Sequence, residues 1–553
     1  MKPAASPRYT PAPPWQGRPH RFWYRFCAVC LALYLAYAAY LSRSGLFRSA
    51  WDTVAALIWF ILITTGLYLA LGWFAERTNW RLNAPETRGR LQPRLFASVS
   101  GGSFAILCVF LAAANPGGVT VDSAVQWTQA LTGVYSNWHP VFHTLLLHLC
   151  TLITPSYTLA LALQCLAFSL ALGYLAATLC AWGVKAAWLL PVTALTVLSP
   201  IVGNTLMFLW KDNAMTVGVL VLGAHAVNLY YTRGSWLRSP RNAIAFGLAL
   251  AFTTLVRHNA ILFTLPLLVV AALTCASQRK GVLTTVAVMV VSLALVWGPL
   301  YSSLKVTYPQ NTLEESIGVP MTVVCDVRTQ NPDALSPETR VFTDAMADET
   351  GWNAYLLHNY NSIKFGATRG LIAHTTLAQV LRMATDTAKA DPVTAFASVN
   401  GLTDLVWGLA DEGSANVQLK NSGDLPEVPR QNGRINRAGT AVKTLITAPL
   451  QLNLPAWYYG NIGVSFALLL VFSLRALRRN GVRALLLCVP TLLYNLGTMC
   501  VLCGPDARFF SFSPLLSTLT LFVLARDPAP GIRPSPGIRP ASETLSAGEE
   551  QPA

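Results

Sequence analysis

The chain has 553 residues, of which 53% are hydrophobic and 12% charged, and a formal net charge of +15. A water-soluble domain carries about 25% charged residues; half that density leaves too little polar surface to clothe a soluble body of this size and indicates a polytopic membrane protein. The same figures exclude disorder along most of the chain, a fibrous repeat and a secreted disulfide scaffold, and a nucleic-acid surface would need the basic excess gathered on one soluble face.

Taken in chain order, residues 1–20 (MKPAASPRYTPAPPWQGRPH) are rich in proline and predict a disordered cytoplasmic tail. Apolar stretches of roughly 20 residues, the length that about 30 Å of hydrocarbon demands, then predict transmembrane helices. They fall at about 21–41, 51–75, 96–114, 157–182, 187–208, 213–231, 243–256, 260–276, 281–300, 457–474, 483–503 and 507–525. The expected fold class is therefore an all-α polytopic membrane protein of about 12 transmembrane helices. An N-terminal transmembrane domain of about nine spans covers 21–300, and C-terminal transmembrane helices, about three spans, cover 456–525. The first span follows a long lead and reads as a signal anchor, not a cleaved signal peptide. Segment 141–154 is apolar but holds His143 and His148, which suits an interfacial or re-entrant helix. Between helices nine and ten, 301–455 holds most of the acidic residues and predicts a mixed-charge extracytoplasmic domain. The tandem PGIRPS and PGIRPA motifs mark 526–553 as a second disordered cytoplasmic tail.

Orientation follows from where Lys and Arg collect, because short cytoplasmic loops retain them. Arg77, Arg81, Arg88, Arg90 and Arg94, then Arg233, Arg238 and Arg241, then Arg279 and Lys280, then Arg475, Arg478, Arg479 and Arg483 all fall in alternate loops. That pattern puts both termini in the cytoplasm and the basic excess on the inner face of the membrane. The short outer loops retain only Arg43, Arg48, Lys211, Arg257 and Arg508. Among the 11 cysteines, Cys27/Cys30 and Cys500/Cys503 have CxxC spacing but lie in or beside apolar spans, where cysteine behaves as a small hydrophobe. Cys325 alone lies well inside the outer domain and has no partner there for a bridge.

Polar groups are costly at membrane depth, so the exceptions mark candidate function. The outer loop 115–156 contains one carboxylate, Asp122, with Gln126, Trp127, Tyr135, Trp138, His139 and His143. A single carboxylate there suits a general base or a metal ligand; it equally suits the cap of a helix formed by SAVQWTQAL. Trp127, Tyr135 and Trp138 suit either sugar stacking or anchoring at the interface. His139 and His143 are four apart, but Pro140 favours a helix that starts after His139. In FLWKDNAM, Lys211 and Asp212 stand at the outer end of a span, either as a phosphate contact beside a carboxylate or as a snorkelling lysine beside a cap. Arg257 and His258 in LVRHNA, Glu314 in TLEESIGV, and Asp506 with Arg508 in CGPDARFF fall at the same face. Polar clusters from distant positions thus share one side of the membrane.

The motifs VDSAVQWTQALTGVYSNWHPVFHT, LWKDN, LVRHNA, EESIGVPM and PDARFF, in this order over about 96–525, resemble an uncharacterised family of bacterial multi-pass membrane proteins. That family is similar to the GT-C type glycosyltransferases, which take sugars from polyprenyl-phosphate donors. The resemblance implies a GT-C-like fold and an inverting transferase activity. It places Asp122 where those enzymes keep the catalytic carboxylate, in the first large outer loop. Many of them have a second acidic residue there, and here that place is taken by Ser123, so a divalent Mg²⁺ or Mn²⁺ would find one carboxylate in the loop. Asp122 as its ligand is left open, with Glu314 or Asp212 to complete it.

The function expected on these grounds is transfer of a sugar from a polyprenyl-phosphate donor to a cell-envelope glycan, lipid or protein acceptor at the outer face of the membrane. Asp122 would be catalytic, Lys211, Arg257 and Arg508 would bind the donor phosphate, and Trp138, His139, His143, Asp212, His258, Glu314 and Asp506 would support the site. Two alternatives stand beside it: a transporter or flippase of a lipid-linked glycan, and a non-catalytic envelope-assembly protein with the same fold.

Overall fold

Long runs of leucine, alanine and valine give backbone amides in hydrocarbon no partner but one another, and helix satisfies them within a single segment. The computed structural model describes residues 21–44, 46–77, 91–309, 312–364, 368–409, 434–448 and 454–526, and among these it is helical with no strand. The expected tail 1–20 lies outside the described residues, as does 527–553. Arg526, expected to open the second tail, is instead buried and donates to the Trp182 carbonyl at 2.9 Å.

Eight described helices are long and apolar enough to cross a membrane: Phe22–Arg43, Ala50–Glu76, Pro93–Ala114, Tyr157–Ala181, Lys211–Thr232, Ala276–Ser303, Val482–Met499 and Ala507–Leu524. The other four expected spans are shorter or broken. The stretch 187–208 divides into Ala186–Leu198 and Pro200–Thr205, with Ser199 between them. The stretches 243–256 and 260–276 become Pro240–Val256 and His258–Thr274. Asn461 interrupts 457–474, its side chain accepting the Val464 amide at 3.0 Å to start a new helix that runs into Arg475, Arg478 and Arg479. Pro200 and the capping Asn461 set the breaks in 187–208 and 457–474, which a count of apolar residues does not register. The segment 141–154 forms Val141–Thr151, 11 residues and too short to span.

One large apolar core joins the helices Pro93–Ala114, Tyr157–Ala181, Lys211–Thr232, Pro240–Val256, Val482–Met499 and Ala507–Leu524. The first two helices pack on each other and on Leu474 through a separate small cluster. Within the expected outer domain, Ile317, Met321, Val324, Tyr360, Val380 and Met383 form their own core, and Cys503 from the loop before the last helix completes it. That loop therefore belongs to both bodies: Asn361 donates to the Cys503 carbonyl at 2.8 Å, and Gly318 packs directly on Leu502.

A Cβ at Gly318 would sit 1.9 Å from the Leu502 carbonyl oxygen, a backbone atom that cannot rotate aside. Gly318→Ala is expected to destabilise this contact by about 1–3 kcal/mol. The loss should appear as a lowered thermal midpoint in detergent and faster trypsin cleavage within 312–364. Unchanged values for both would mean that the loop is not a fixed joint.

Candidate functional site

The loop that follows Pro93–Ala114 turns into the helix Val121–Thr132 through a reciprocal cap. Thr120 accepts the Ser123 amide at 3.4 Å, and the Ser123 hydroxyl accepts the Thr120 amide at 2.8 Å. Thr120, not Asp122, is the capping residue. The capping reading of Asp122 is thereby corrected, and its carboxylate is left to face other elements. Ser123, in the place of a second acidic residue, is used by the cap. Trp210 donates its indole N–H to Thr120 Oγ1 at 2.9 Å and stacks on Phe208, which holds the start of Lys211–Thr232 beside this loop.

Three segments then converge on one carboxylate. Asp122 Oδ2 receives Lys211 Nζ at 3.3 Å and Arg508 Nη1 at 3.1 Å, and Oδ1 lies 4.0 Å from His139 Nε2. His139 Nδ1 is 3.0 Å from Lys211 Nζ. An ammonium can only donate, so Nδ1 accepts and the imidazole proton sits on Nε2, turned toward Asp122. Burial, together with the Lys211 charge, pulls the His139 pKa down to about 3 against the opposing pull of Asp122, so the ring is neutral. For Asp122 burial acts to raise the pKa, but Lys211, Arg508 and His139 outweigh it and hold the carboxyl well below its ordinary range.

The sign of the resulting pH dependence follows. A depressed carboxyl contributes stability in full above its unfolded pKa of 3.8 and loses it as pH falls toward the folded value. The stability difference between the protein and Asp122→Asn is therefore expected to hold from neutral pH down to about 3.8 and to shrink below it. A difference that does not change with acidification would count against the ion network.

Asp212, next to Lys211, pairs with the Arg257 guanidinium; both side chains are almost fully buried, at 3% and 6% exposed. Arg257 Nε also donates to Tyr494 Oη at 3.2 Å, and that hydroxyl donates to the Phe509 carbonyl at 3.0 Å. The Phe509 ring lies against both arginines, 4.7 Å from Arg257 and 5.1 Å from Arg508. Arg508 Nε meets Asp506 Oδ2 at 2.6 Å, and Asp506 Oδ1 accepts the Arg508 amide at 3.1 Å. Three cations and three carboxylates thus alternate, Lys211, Arg257 and Arg508 against Asp122, Asp212 and Asp506. Asp122, 29% exposed, is the carboxylate that Lys211 and Arg508 share, and an anion binding to both cations would displace it.

The remaining expected site residues divide. His143 is buried in Val141–Thr151 with Nδ1 lacking a hydrogen-bond partner. His139 precedes that helix, as Pro140 requires, so the two histidines do not share a helical face. His258 is exposed and approaches Asn137 Oδ1 at 3.4 Å, and Trp138 is half-buried in the turn before Pro140. Glu314 is buried toward the outer-domain core, its carbonyl accepting Cys503 Sγ at 3.6 Å, and is not a partner of Asp122. Trp127 and Tyr135 are buried, Trp127 edge-on to Tyr157, so neither offers a face to a sugar. Thr120, Trp210, Tyr494 and Phe509 are members of the site that sequence reasoning did not single out. Trp210 in LWKDN, Phe509 in PDARFF and Tyr494 beside Asn495 inside an apolar span were the available signals.

A divalent cation fits poorly at Asp122. Both carboxylate oxygens face nitrogen groups, two of them cationic and within 3.3 Å, and among the described residues no group of three His, Cys, Asp or Glu side chains is arranged to hold a metal. Arg508 is also one of the residues lining a largely apolar cleft, with Phe168, Ile201, Leu206, Tyr459 and Leu515. No protein-family model, curated protein or solved structure matches the chain.

Proposed function

We propose that the protein is an integral membrane glycosyltransferase of GT-C-like fold, moving a sugar from a polyprenyl-phosphate donor to a cell-envelope acceptor at the outer face of a bacterial cytoplasmic membrane. The observation that carries the reading is the meeting of Asp122 with Lys211 and Arg508, from three distant segments, beside the Asp212–Arg257 pair, with Arg508 also lining a largely apolar cleft. In this reading the four shorter or broken apolar helices complete a set of about twelve, and both termini are cytoplasmic.

The chemistry follows from exchange of partners. The donor phosphate takes Lys211 and Arg508 from Asp122, while its lipid enters the cleft behind Arg508. Asp122, released from two positive charges, becomes a stronger base at the moment the donor is seated. The acceptor hydroxyl gives its proton to Asp122, its oxygen bonds to the anomeric carbon, and the bond from that carbon to the phosphate oxygen breaks with inversion. Lys211 and Arg508 stabilise the charge that grows on the leaving phosphate, strongly so where water is scarce.

The test is the purified protein in proteoliposomes with labelled polyprenyl-phosphate sugars and envelope acceptors. Formation of a glycosylated product is expected, with loss of label from the donor. Movement of labelled lipid across the bilayer without product would overturn the reading in favour of a flippase. Arg508→Ala is expected to weaken donor binding by about tenfold or more, the scale of one lost charge-assisted hydrogen bond of 1.5–3 kcal/mol. Unchanged donor affinity in that variant would remove Arg508 from the phosphate site.

A further inference from the structure

A second built site lies in residues that the Asp122 cluster does not use. Asp326, on the helix Gly318–Gln330, is fully buried yet receives three hydrogen bonds: His358 Nδ1 at 2.7 Å, the His358 amide at 3.0 Å and the Tyr355 hydroxyl at 2.8 Å. Burial pushes this carboxyl up, but hydrogen bonding, chiefly from His358, outweighs it and holds the group below its ordinary range. The carboxylate at Nδ1 holds a proton on that nitrogen, so in the neutral ring the lone pair is on Nε2. The His358 ring is 31% exposed, and no hydrogen bond to Nε2 occurs among the described residues.

The backbone is arranged to present this ring. His358 has φ of +62°, a left-handed conformation that costs a non-glycine residue free energy and recurs at functional sites. The ring lies against Gly401, where an added Cβ would come within 2.3 Å of His358 Cδ2. Asn400, adjacent to Gly401, bonds Tyr37 and approaches the Ser42 carbonyl at 3.5 Å, both at one end of the span Phe22–Arg43. At the end of the helix Pro392–Trp407, which holds Asn400 and Gly401, the Trp407 carbonyl accepts Tyr34 Oη at 3.1 Å, deeper in that span. His358 therefore lies near the Ser42 end of that helix, and its chain neighbours Leu356 and Leu357 are exposed.

We propose that Asp326 and His358 form a binding site for a hydroxyl-bearing amphiphile, in which His358 Nε2 accepts a hydrogen bond from the hydroxyl while the apolar part lies along Leu356 and Leu357. An unpaired lone pair beside exposed leucines matches a ligand with a donor head and an apolar body. The site is independent of the glycosyl-transfer reading, since none of its residues touches Asp122, Lys211 or Arg508.

The experiment measures carbethoxylation of His358 by diethyl pyrocarbonate in the full chain, read by peptide mass spectrometry. His374, exposed in the same domain, serves as the internal reference. The chain is placed in nanodiscs of phosphatidylglycerol, whose headgroup carries hydroxyls, or of phosphatidylmethanol, which has the same charge and none. His358 is expected to react about fivefold more slowly in phosphatidylglycerol, the scale of one net hydrogen bond. Equal rates in the two lipids, fast or slow, would overturn hydroxyl recognition. In detergent, free glycerol should give little protection; protection equal to that by phosphatidylglycerol would overturn the amphiphile and leave a soluble ligand. Asp326→Asn should lower the reactivity of His358 relative to His374, and an unchanged ratio would remove the carboxylate from the site.

Discussion

Asp122→Asn is expected to reduce sugar transfer by about 10²–10⁴-fold, the usual contribution of a positioned general base. The amide is nearly isosteric and can still accept from Lys211 and Arg508, so donor binding should be retained or tightened because one competing anion is gone. The check is single-turnover transfer from labelled lipid-linked sugar, alongside donor affinity measured by retention of label in the absence of acceptor. Full transfer by the variant would end the base assignment. A further signature separates a base from a structural carboxylate: with acceptor and donor bound, wild-type transfer should fall as acid protonates Asp122, and the variant's residual activity should show no such limb.

Loss of the Asp212–Arg257 pair should have the largest effect on stability. Both side chains are almost completely withdrawn from solvent, and Arg257 has its other contacts in Tyr494 and Phe509. Asp212→Asn leaves a guanidinium buried without its counter-charge, a change that typically costs about 3–5 kcal/mol. The measurement is thermal or denaturant unfolding in detergent. The double variant Asp212→Asn with Arg257→Met should recover much of the loss, since removing both charges also removes their desolvation. A single variant that unfolds like the wild type would mean that water reaches the pair and screens it.

Several parts of this site could be read from residue chemistry alone. Lys211, Arg257 and Arg508 stand out because each is a positive charge where the charge pattern of the loops calls for none, and each occupies the boundary of an apolar stretch. Asp122 stands out as the only carboxylate in its loop. Those four, with Asp212 and Asp506, form the alternating cluster. Pro140 separates His139 from His143 through its own backbone restriction, which is local and therefore legible. Glu314 and Trp127 show the opposite case. A glutamate and a tryptophan in polar connecting segments look available from their neighbours in the chain, yet Glu314 and Trp127 are both buried, Trp127 against Tyr157. Burial depends on what another segment brings, and no periodicity encodes it.

The helix boundaries divide in the same way. The eight long helices match eight of the expected stretches because hydrocarbon length and backbone hydrogen bonding are both local demands. Two more stretches are divided, at Ser199 and Asn461, while 243–256 and 260–276 form close to their expected bounds as Pro240–Val256 and His258–Thr274.

Composition and charge placement thus specify a polytopic, all-helical membrane protein and mark the residues whose charge is out of place. They do so because the cost of a charge in hydrocarbon and the length of a span are properties of short segments. Which carboxylate faces which cation, that Thr120 takes over the cap and releases Asp122, and that Asp326 orients a histidine 32 residues away are decided only when the segments pack. Those pairings depend on distances between residues far apart in the chain, and Coulomb energy and hydrogen bonding act on distance, not on sequence order.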